Sequence, residues 1–365
     1  MQRLKFKKGQ EEFVTELRTT VNEHFENNGI EKYGGFQILV KTLLMALVYF
    51  VPYGLMLTGV VSSLLPVMIC WVVMSLGMSG MGLVTMHDAN HGTFSKRRWV
   101  NTLFGSSLYL LGGFPENWKY QHNTLHHGYT NVEGHDEDIG HEGILRFSPH
   151  KTLKKVHKYQ YIYAWFLYSL MTFSWVTIKD FKRFFKYKTD GAVLSNKQNY
   201  SQLFTKMLLS KMVYYTLFLV LPLIFVPLAW YWILLGFLIM HFTSGLLLST
   251  IFQMAHVVPT SDYPLPDGND ELSYNWTVHQ LYTTCDFAPK NRVLSWLIGG
   301  LNFQVVHHLF PNISHVHYRK IARIVEKTAN KHDLPYHVND TFFGAIRQHL
   351  LMLKTLGQPQ KSYAA

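Results

Sequence analysis

TLLMALVYFVPYGLMLTGVVSSLLPVMICWVVMSLGMSGMGLVTM, residues 42–86, contains no aspartate, glutamate, lysine or arginine. The same is true of residues 212–255. Because about 20 apolar residues are enough to cross a bilayer as a helix, each stretch is long enough for two crossings. A buried helix of a soluble protein is the alternative, but uncharged runs of this length are rare in soluble folds. The two stretches therefore predict an integral membrane protein.

Each uncharged stretch contains turn-forming residues near its middle. Ser62, Ser63 and Pro66 divide the first stretch, and Pro222 and Pro227 divide the second. The expected fold is therefore all-α, with four transmembrane helices in two hairpins. The expected spans lie at about 38–61, 66–86, 207–228 and 230–252. The expected organisation is a cytoplasmic N-terminal segment (1–35), one interdigitated domain (36–340) and a C-terminal tail (341–365).

The net charge of +11 comes from basic residues that flank the apolar stretches. They concentrate at 3–8, 96–98, 151–155 and 179–188, and neither expected hairpin turn contains one. By the positive-inside rule, both termini and the long connections face the cytoplasm. The membrane is then a bacterial inner membrane, or the endoplasmic reticulum if the source is eukaryotic. Basic residues in these positions suit the headgroups of membrane lipids, so no nucleic-acid partner is expected.

Cysteine and the N-terminus exclude several other classes. Cys70 and Cys285 are the only cysteines, so the sequence offers no disulfide framework and no cysteine-ligated metal site. The first 35 residues are polar and lack the apolar segment of a signal peptide.

Histidine carries the chemical signal. Eight of the 20 histidines fall in four clusters at the ends of expected spans or in short segments after them: His87 and His91 in MHDANH, His122, His126 and His127 in HNTLHH, His256 in FQMAH, and His307 and His308 in QVVHH. Residues four apart on a helix share a face, so the first two clusters can each direct two imidazoles at one point. Zinc sites use three or four ligands, so eight imidazoles suit two metals. Ligand type alone does not distinguish iron, zinc, copper and nickel.

A shared metal site constrains the topology. All four clusters must lie on one side of the membrane, which two hairpins achieve. Residues 99–115 and 159–178 are also uncharged, and either one crossing alone would move some clusters to the opposite side. Both are therefore expected to be re-entrant or interfacial, and the clusters to lie in a cytoplasmic helical cap.

Polar residues near the clusters are candidates for orienting the ligands, because a ligating imidazole donates its other ring N–H to an acceptor. The expected residues are Asp88, Asn123 and Asp138, with Asp136 beside the last of these. His241 lies mid-span and is interpreted as a hydrogen-bonded packing residue, while His279 fits either role.

The motifs HDANH, HNTLHH and QVVHH, with a lone histidine after the last span, resemble the membrane fatty acid desaturase family over about residues 37–336. Gln304, which opens the third motif, is similar to the front-end or linoleoyl-CoA desaturase branch. The resemblance implies a non-haem di-iron centre that uses O2 and two electrons to insert a cis double bond into the acyl chain of an acyl-CoA or acyl-lipid.

The family's ligand pattern implies that His87, His122, His127 and His308 hold one iron and that His91, His126, His256 and His307 hold the other. Gln304 is then a weak ninth ligand, or its iron has one ligand fewer. Val305 and Val306 depart from the front-end pattern, which has Ile and Glu there, so the resemblance does not fix the position of the double bond.

Many front-end desaturases carry a fused haem domain as electron donor. The segment before the first span is too short for one, so a separate ferredoxin or small haem protein is expected. A membrane di-iron hydroxylase of lipids, carotenoids or alkanes is the nearest alternative. A zinc-dependent membrane hydrolase would need an HExxH arrangement, which is missing, and a metal transporter would place its ligands near the bilayer midplane.

Overall fold

The computed structural model describes residues 4–140, 143–195 and 199–359. Arg3 of the first basic cluster and the last six residues of the expected tail lie outside these ranges. The chain forms two compact units, each assembled from separated segments. One unit, here called the histidine-rich unit, comprises the described parts of 1–33, 121–164 and 250–365. The other, the apolar unit, comprises the described parts of 34–120 and 165–249.

Four helices are long and apolar enough to cross a membrane, and they are the only such helices in the described part of the chain: Gly35–Leu57, Leu64–Asn90, Tyr200–Phe225 and Trp230–His256. Their number and approximate positions agree with the expected spans, although the third begins at Tyr200 rather than near residue 207. Few residues of the first and third helices are buried (28% and 22%), whereas 72% of the second is buried. The first and third helices therefore leave the larger apolar surfaces for lipid.

Small residues bring the first two apolar helices together. A Cβ atom on Gly77 would lie 2.6 Å from Tyr49 Cα, and one on Gly80 would lie 2.8 Å from Met45 Cγ. A larger side chain at Gly77 would therefore push the helices apart, because it meets backbone, whereas one at Gly80 would displace the Met45 side chain. The GMSGMG segment serves helix packing at both of these glycines.

The two shorter uncharged stretches are interrupted and do not form single long helices. The first consists of the α-helix Arg98–Gly105 and the 3₁₀ segment Ser106–Leu111, which ends at Gly112 with φ of +80°. The second is divided between the helices Gln160–Ser169 and Met171–Ser174 and a π-helical turn. Neither qualifies as a candidate span, as expected from the sequence.

A buried ion pair joins these stretches to the third apolar helix. Lys211 Nζ lies 2.6 Å from Asp180 Oδ2, and both side chains are almost fully buried. The same ammonium group donates to the carbonyl of Gly112 at 2.5 Å and to that of Trp175 at 3.0 Å. Asn117 Nδ2 donates to the Asp180 carbonyl at 2.8 Å. Every ammonium hydrogen thus has a partner, which a charge in an apolar environment requires.

The N-terminal segment is part of the histidine-rich unit. Helix Glu11–Asn27 begins with two glutamates, which its positive N-terminal dipole favours. Phe13, Leu17 and Val21, four residues apart, form its buried face and pack in one apolar cluster with helix Tyr318–Lys331. Two short parallel strand pairs, which an all-α fold lacks, also belong to this unit: Lys5–Phe6 with Glu271–Leu272, and Cys285–Phe287 with His337–Asn339.

The remaining helices are short. Those of the apolar unit are Pro115–Lys119 and Asp180–Thr189. Those of the histidine-rich unit are Lys155–Tyr159, Trp276–Thr283, Arg292–Leu297, Gln304–Leu309, His315–His317 and Phe342–Leu356.

We expect Lys211→Met to destabilise the protein by roughly 3–5 kcal/mol, because it leaves the Asp180 carboxylate buried without its cation. Lys206→Met on the same helix is the matched control. Lys206 also lies 2.6 Å from a carboxylate, that of Glu116, but it is 42% exposed, so its loss should cost about 0–1 kcal/mol. Thermal unfolding in detergent, followed by size-exclusion chromatography, measures both. Equal shifts in the unfolding temperature would contradict this account.

Candidate metal centre

The second histidine cluster lies on a π-helical segment, Tyr120–His126. His127 N donates to His122 O, five residues earlier, so His127 returns close to the face that carries His122. The α-helical spacing assumed for this cluster would have separated them. With the π-turn, His122, His126 and His127 all contribute rings to one buried region, with ring centroids 4.8–5.7 Å apart.

One group of ligands consists of His126, His256 and His308. All three are buried, and one ring nitrogen from each lies within 4.8 Å of the others. The ring centroids are 4.7–4.8 Å apart. These residues come from the π-helical segment, the end of the fourth apolar helix and the helix Gln304–Leu309, so a single turn of chain could not form the group.

A second group in the same unit consists of His122, His127 and His307. His127 Nε2 lies 3.3 Å from His122 Nε2 and 3.0 Å from His307 Nε2. Two nitrogens each about 2.1 Å from one metal stand about 3.0 Å apart at a right angle and about 3.4 Å apart at the tetrahedral angle. The observed separations match those of ligands that share a metal.

The grouping differs from the one that the resemblance implied. His308, rather than His307, lies with His126 and His256, and His307 lies with His122. The His127 ring lies close to both, 4.5 Å from His307 and 4.4 Å from His308 between centroids. Adjacent residues of the third cluster point to different groups because they are about 100° apart around a helix axis.

The first cluster belongs to the apolar unit. The rings of His87 and His91 lie 4.7 Å apart between centroids, and the indole of Trp118 packs edge-on against both at 5.8 Å. Asp88 is buried, with Oδ1 3.8 Å from His87 Nδ1, a charge contact too long for a hydrogen bond. Asn90 Nδ2 donates to Gly105 O at 3.2 Å and thereby fixes the end of the helix.

Asp136 orients the His126 ring. Both of its carboxylate oxygens lie 3.1 Å from His126 Nδ1, whereas the nearest oxygen of Asp138 lies at 3.5 Å and its side chain is 31% exposed. Burial alone lowers the pKa of His126, but the charges of Asp136 and Asp138 outweigh it and raise the pKa to about 9. The Nδ1–H bond leaves Nε2 as the nitrogen available to a metal.

Asn131 connects Asp136 to the fourth apolar helix. It adopts a left-handed conformation with φ of +59°, which asparagine tolerates better than most residues. Its backbone N–H donates to Asp136 Oδ2 at 2.9 Å, and its side-chain amide donates to His256 O at 3.1 Å and to Thr283 O at 3.3 Å. The Thr283 carbonyl also accepts from His256 Nδ1 at 3.4 Å.

Helix Trp276–Thr283 holds the second and third clusters, a role not apparent from the sequence. Gln280 Oε1 accepts from His308 Nδ1 at 3.0 Å, and Thr130 Oγ1 donates to the same amide oxygen at 2.9 Å. Trp276 Nε1 donates to His127 O at 3.0 Å. In the sequence, only the segment WTVHQLYT could have indicated this role, because Trp276 and Gln280 are four residues apart and so share one face of a helix.

His279 and His241 have structural roles. His279 donates from Nε2 to Thr130 O at 2.8 Å, and burial, partly opposed by this bond, lowers its pKa to about 4. His241 Nε2 lies 2.9 Å from Tyr214 OH, and its Nδ1 lies 3.2 Å from Thr172 Oγ1. It is hydrogen-bonded within the apolar unit, as interpreted from the sequence.

Asp286 caps the short helix that carries the third cluster. Its Oδ1 accepts from Val305 N at 2.9 Å and its Oδ2 accepts from Tyr336 OH at 2.5 Å. Burial raises the pKa of Asp286 to about 7, although both hydrogen bonds oppose the shift. The hydroxyl of Tyr318 lies 3.1 Å from His307 Nδ1 and supports the other side of the helix. The first residue of the motif, Gln304, is also fully buried.

The donor set fits a transition metal. His256 Nε2 is fully buried and has no hydrogen-bond partner among the described residues. Such an atom is costly unless it binds something, because it has lost its water. Buried imidazoles whose Nδ1 atoms donate to fixed acceptors are also the usual form of metal-binding histidines. Asn123 is half-buried on the same π-helical segment.

Residues 62–339 match the family model for fatty acid desaturase. The chain belongs to the fatty acid desaturase family. The sn-1 linoleoyl-lipid 6-desaturase of Arthrospira platensis is 32% identical over 94% of this chain and 92% of its own length. The protein of the same name from Synechocystis sp. is 30% identical over 98% of both chains. An acyl-lipid (8-3)-desaturase of Physcomitrium patens is 32% identical over 95% of this chain and 72% of its own.

Membership in the desaturase family confirms the expected enzyme class, an oxidoreductase acting on fatty acyl chains. It favours desaturation over the hydroxylase, hydrolase and transporter alternatives. The matched region contains all four histidine clusters, from His87 to His308.

We expect Asp136→Asn to lower metal retention by roughly 10–100-fold, because the amide cannot accept from His126, Asn131 and Asp138 together. Asp138→Asn is the matched control and should have a smaller effect. Mass-spectrometric metal analysis after dialysis against graded chelator measures both. A larger loss with Asp138→Asn would assign the orienting role to the residue expected from the sequence.

We also expect Gln280→Leu to lower metal retention, because His308 Nδ1–H would lose the amide oxygen at 3.0 Å and keep only the Thr130 hydroxyl at 3.1 Å, whereas Gln280→Glu keeps both acceptors. The same chelator series compares the two variants. Equal metal retention in Gln280→Leu and the parent protein would show that Gln280 does not orient His308.

Proposed function

We propose that this protein is an acyl-lipid desaturase with a histidine-ligated di-iron centre, which inserts a cis double bond into an already unsaturated acyl chain. The observation that carries the proposal is the convergence of imidazole nitrogens in the histidine-rich unit of a desaturase-family chain. Three relatives with acyl-lipid or linoleoyl-lipid names, aligned over most of their lengths, support the lipid-linked substrate.

In this proposal, each iron takes one of the two ligand groups. His126, His256 and His308 form one set, and His122, His127 and His307 form the core of the other. His87 and His91, which supply two imidazoles from the apolar unit, complete the ligand set. Gln304, which opens the third motif and is fully buried, is the ninth candidate through its amide oxygen. Asp88, Asn123 and Asp138 remain proposed supporting residues, and Asp136 and Gln280 join them.

Iron, when bound, supplies the O2-derived oxidant that removes hydrogen from unactivated methylene groups, which no protein side chain can do. The overall reaction converts –CH2–CH2– to –CH=CH–. The two hydrogens removed, two further protons and two electrons reduce one O2 to two waters. A separate ferredoxin or small haem protein supplies the electrons.

The protein's own residues hold and orient the ligands. Asp136, Gln280 and the Thr283 carbonyl accept the Nδ1 protons of His126, His308 and His256, so the Nε2 atoms are the ones directed toward the irons. Apolar residues between the membrane helices hold the acyl chain and exclude water, so that the chosen carbons stay beside the irons.

We propose the topology in which both hairpin turns, residues 58–63 and 226–229, lie outside and the active site faces the cytoplasm. The basic residues at 96–98, 151–155 and 179–188, which flank the apolar segments, support this orientation. A reporter inserted at Lys151 should be cytoplasmic. Its appearance outside the cell would contradict a single cytoplasmic site.

The decisive test is expression in a host whose lipids contain linoleate, with new double bonds located by mass spectrometry. Purified protein should contain about two irons per chain. His126→Ala and His307→Ala should each abolish the product, because each removes a ligand from a different group. His150→Ala is the control, since His150 is exposed and its ring nitrogen bonds a backbone carbonyl, that of Tyr263, rather than a histidine of the clusters. Product retained in His126→Ala or His307→Ala, or zinc without iron in active protein, would overturn the proposal.

The acyl carrier can be identified from the lipid class in which labelled product first appears. With isotopically labelled linoleate, the product should appear first in intact glycerolipids rather than in acyl-CoA. Product appearing first in acyl-CoA would contradict the lipid-linked substrate while leaving the di-iron assignment intact.

A further inference from the structure

Helix Arg292–Leu297 of the histidine-rich unit has no buried residue. Val293 is 71% exposed, Trp296 40% and Leu297 46%. Val293 and Leu297 are four residues apart, as are Arg292 and Trp296, so these four side chains form one continuous stripe. A stripe of this kind on a soluble surface costs free energy, which indicates that another surface covers it.

Three arginines lie beside this stripe. Arg319 donates to Pro289 O at 2.5 Å and to Ser295 Oγ at 3.2 Å, so it is fixed against the helix. Its pKa is lowered, first by partial burial and then by the positive charges of Arg292 and Arg323. Within the described residues, none of the three forms a salt bridge with a carboxylate. The positive charges of Arg292 and Arg323 thus act on Arg319 without a carboxylate in direct contact with any of the three in the described part of the chain.

Unpaired guanidinium groups next to an exposed tryptophan and aliphatic side chains match the chemistry of a membrane interface. Indole rings and aliphatic side chains enter the headgroup region, while arginines bind lipid phosphates. The four helices that are long and apolar enough to cross a membrane make a lipid bilayer the partner that this surface chemistry suits. We propose that helix Arg292–Leu297 is an interfacial anchor that binds the anionic headgroup layer of the bilayer.

The position of the anchor in the chain gives it a function. Buried Ile298 follows the helix, and Gly299 and Gly300 turn the chain with φ of +63° and +66°. The third histidine cluster begins four residues later, at Gln304. If the proposed function holds, as this role of the anchor requires, the anchor sets the third cluster at the level where a membrane lipid presents its acyl chain.

A spin label at Val293→Cys in the full-length protein tests the location directly. The native cysteines, Cys70 and Cys285, are buried, so the introduced thiol is the reactive one. In nanodiscs containing phosphatidylglycerol, the label should be more accessible to O2, which partitions into lipid, than to an aqueous nickel chelate. A label at Thr19→Cys, exposed on helix Glu11–Asn27, is the control and should show the reverse order.

The arginines are tested by lipid composition. Replacing phosphatidylcholine by phosphatidylglycerol should move the label deeper, and Arg292→Gln with Arg323→Gln should remove that dependence. Each arginine near an anionic surface contributes about five-fold to binding. Arg319 is left intact because it also packs on Phe303 at 5.3 Å and supports the fold.

A label at Val293 as accessible to the nickel chelate as the one at Thr19 would overturn the proposal. So would protection at Val293 that appears only after an acidic electron donor is added, since the surface would then bind that protein. Depth that is independent of phosphatidylglycerol would also overturn it, because the arginines would then not bind headgroups. These measurements need no turnover, so an interfacial label in protein without desaturase activity would retain the anchor and reject the proposed function.

Discussion

A metal-binding imidazole keeps its proton on the nitrogen that does not bind the metal, and an acceptor for that proton is required to fix the tautomer and the orientation of the ring. Much of the histidine-rich unit meets this requirement. Asp136, Gln280 and the Thr283 carbonyl hold the Nδ1 protons of three different rings, and each acceptor is itself fixed by further hydrogen bonds. The helix that contains Gln280 and the left-handed turn at Asn131 support these acceptors. The hydrogen-bond acceptors and the residues that hold them therefore determine the orientation of the histidine rings.

The apolar unit solves a different problem, that of polar groups in an environment without water. Where its two interrupted stretches turn, the backbone carbonyls of Gly112 and Trp175 accept hydrogen bonds from a side chain. Lys211 binds both carbonyls, and Asp180 neutralises its charge. The same interaction that makes a lysine tolerable inside the unit also joins the two interrupted stretches to the third apolar helix.

Much of the fold could be predicted from the sequence, because it depends on local patterns. Uncharged length determines the four apolar helices, and the spacing of the histidines indicates which elements carry the ligands. The short strand pairs could not be predicted, since Lys5 pairs with Glu271 and Cys285 with His337, each from a distant part of the chain. Gln280 was missed for the same reason, because it acts on a histidine 28 residues away and through Thr130, 150 residues away. Asp136 and Asp138 are two residues apart, and only the loop geometry separates their roles.

The π-helical turns show why spacing alone did not give the ligand groups. An extra residue in a helical turn has a cost, and such turns persist mainly where they serve a site. One runs from Met81 to Met86 and ends immediately before His87, and another contains His122 and His126. In the second, the extra residue returns His127 to the face of His122. His122, His126 and His127 can therefore contribute to both ligand groups. An α-helix with the same sequence would turn His127 away from His122. The histidine motif is thus compatible with several ligand arrangements, and the backbone conformation selects one of them.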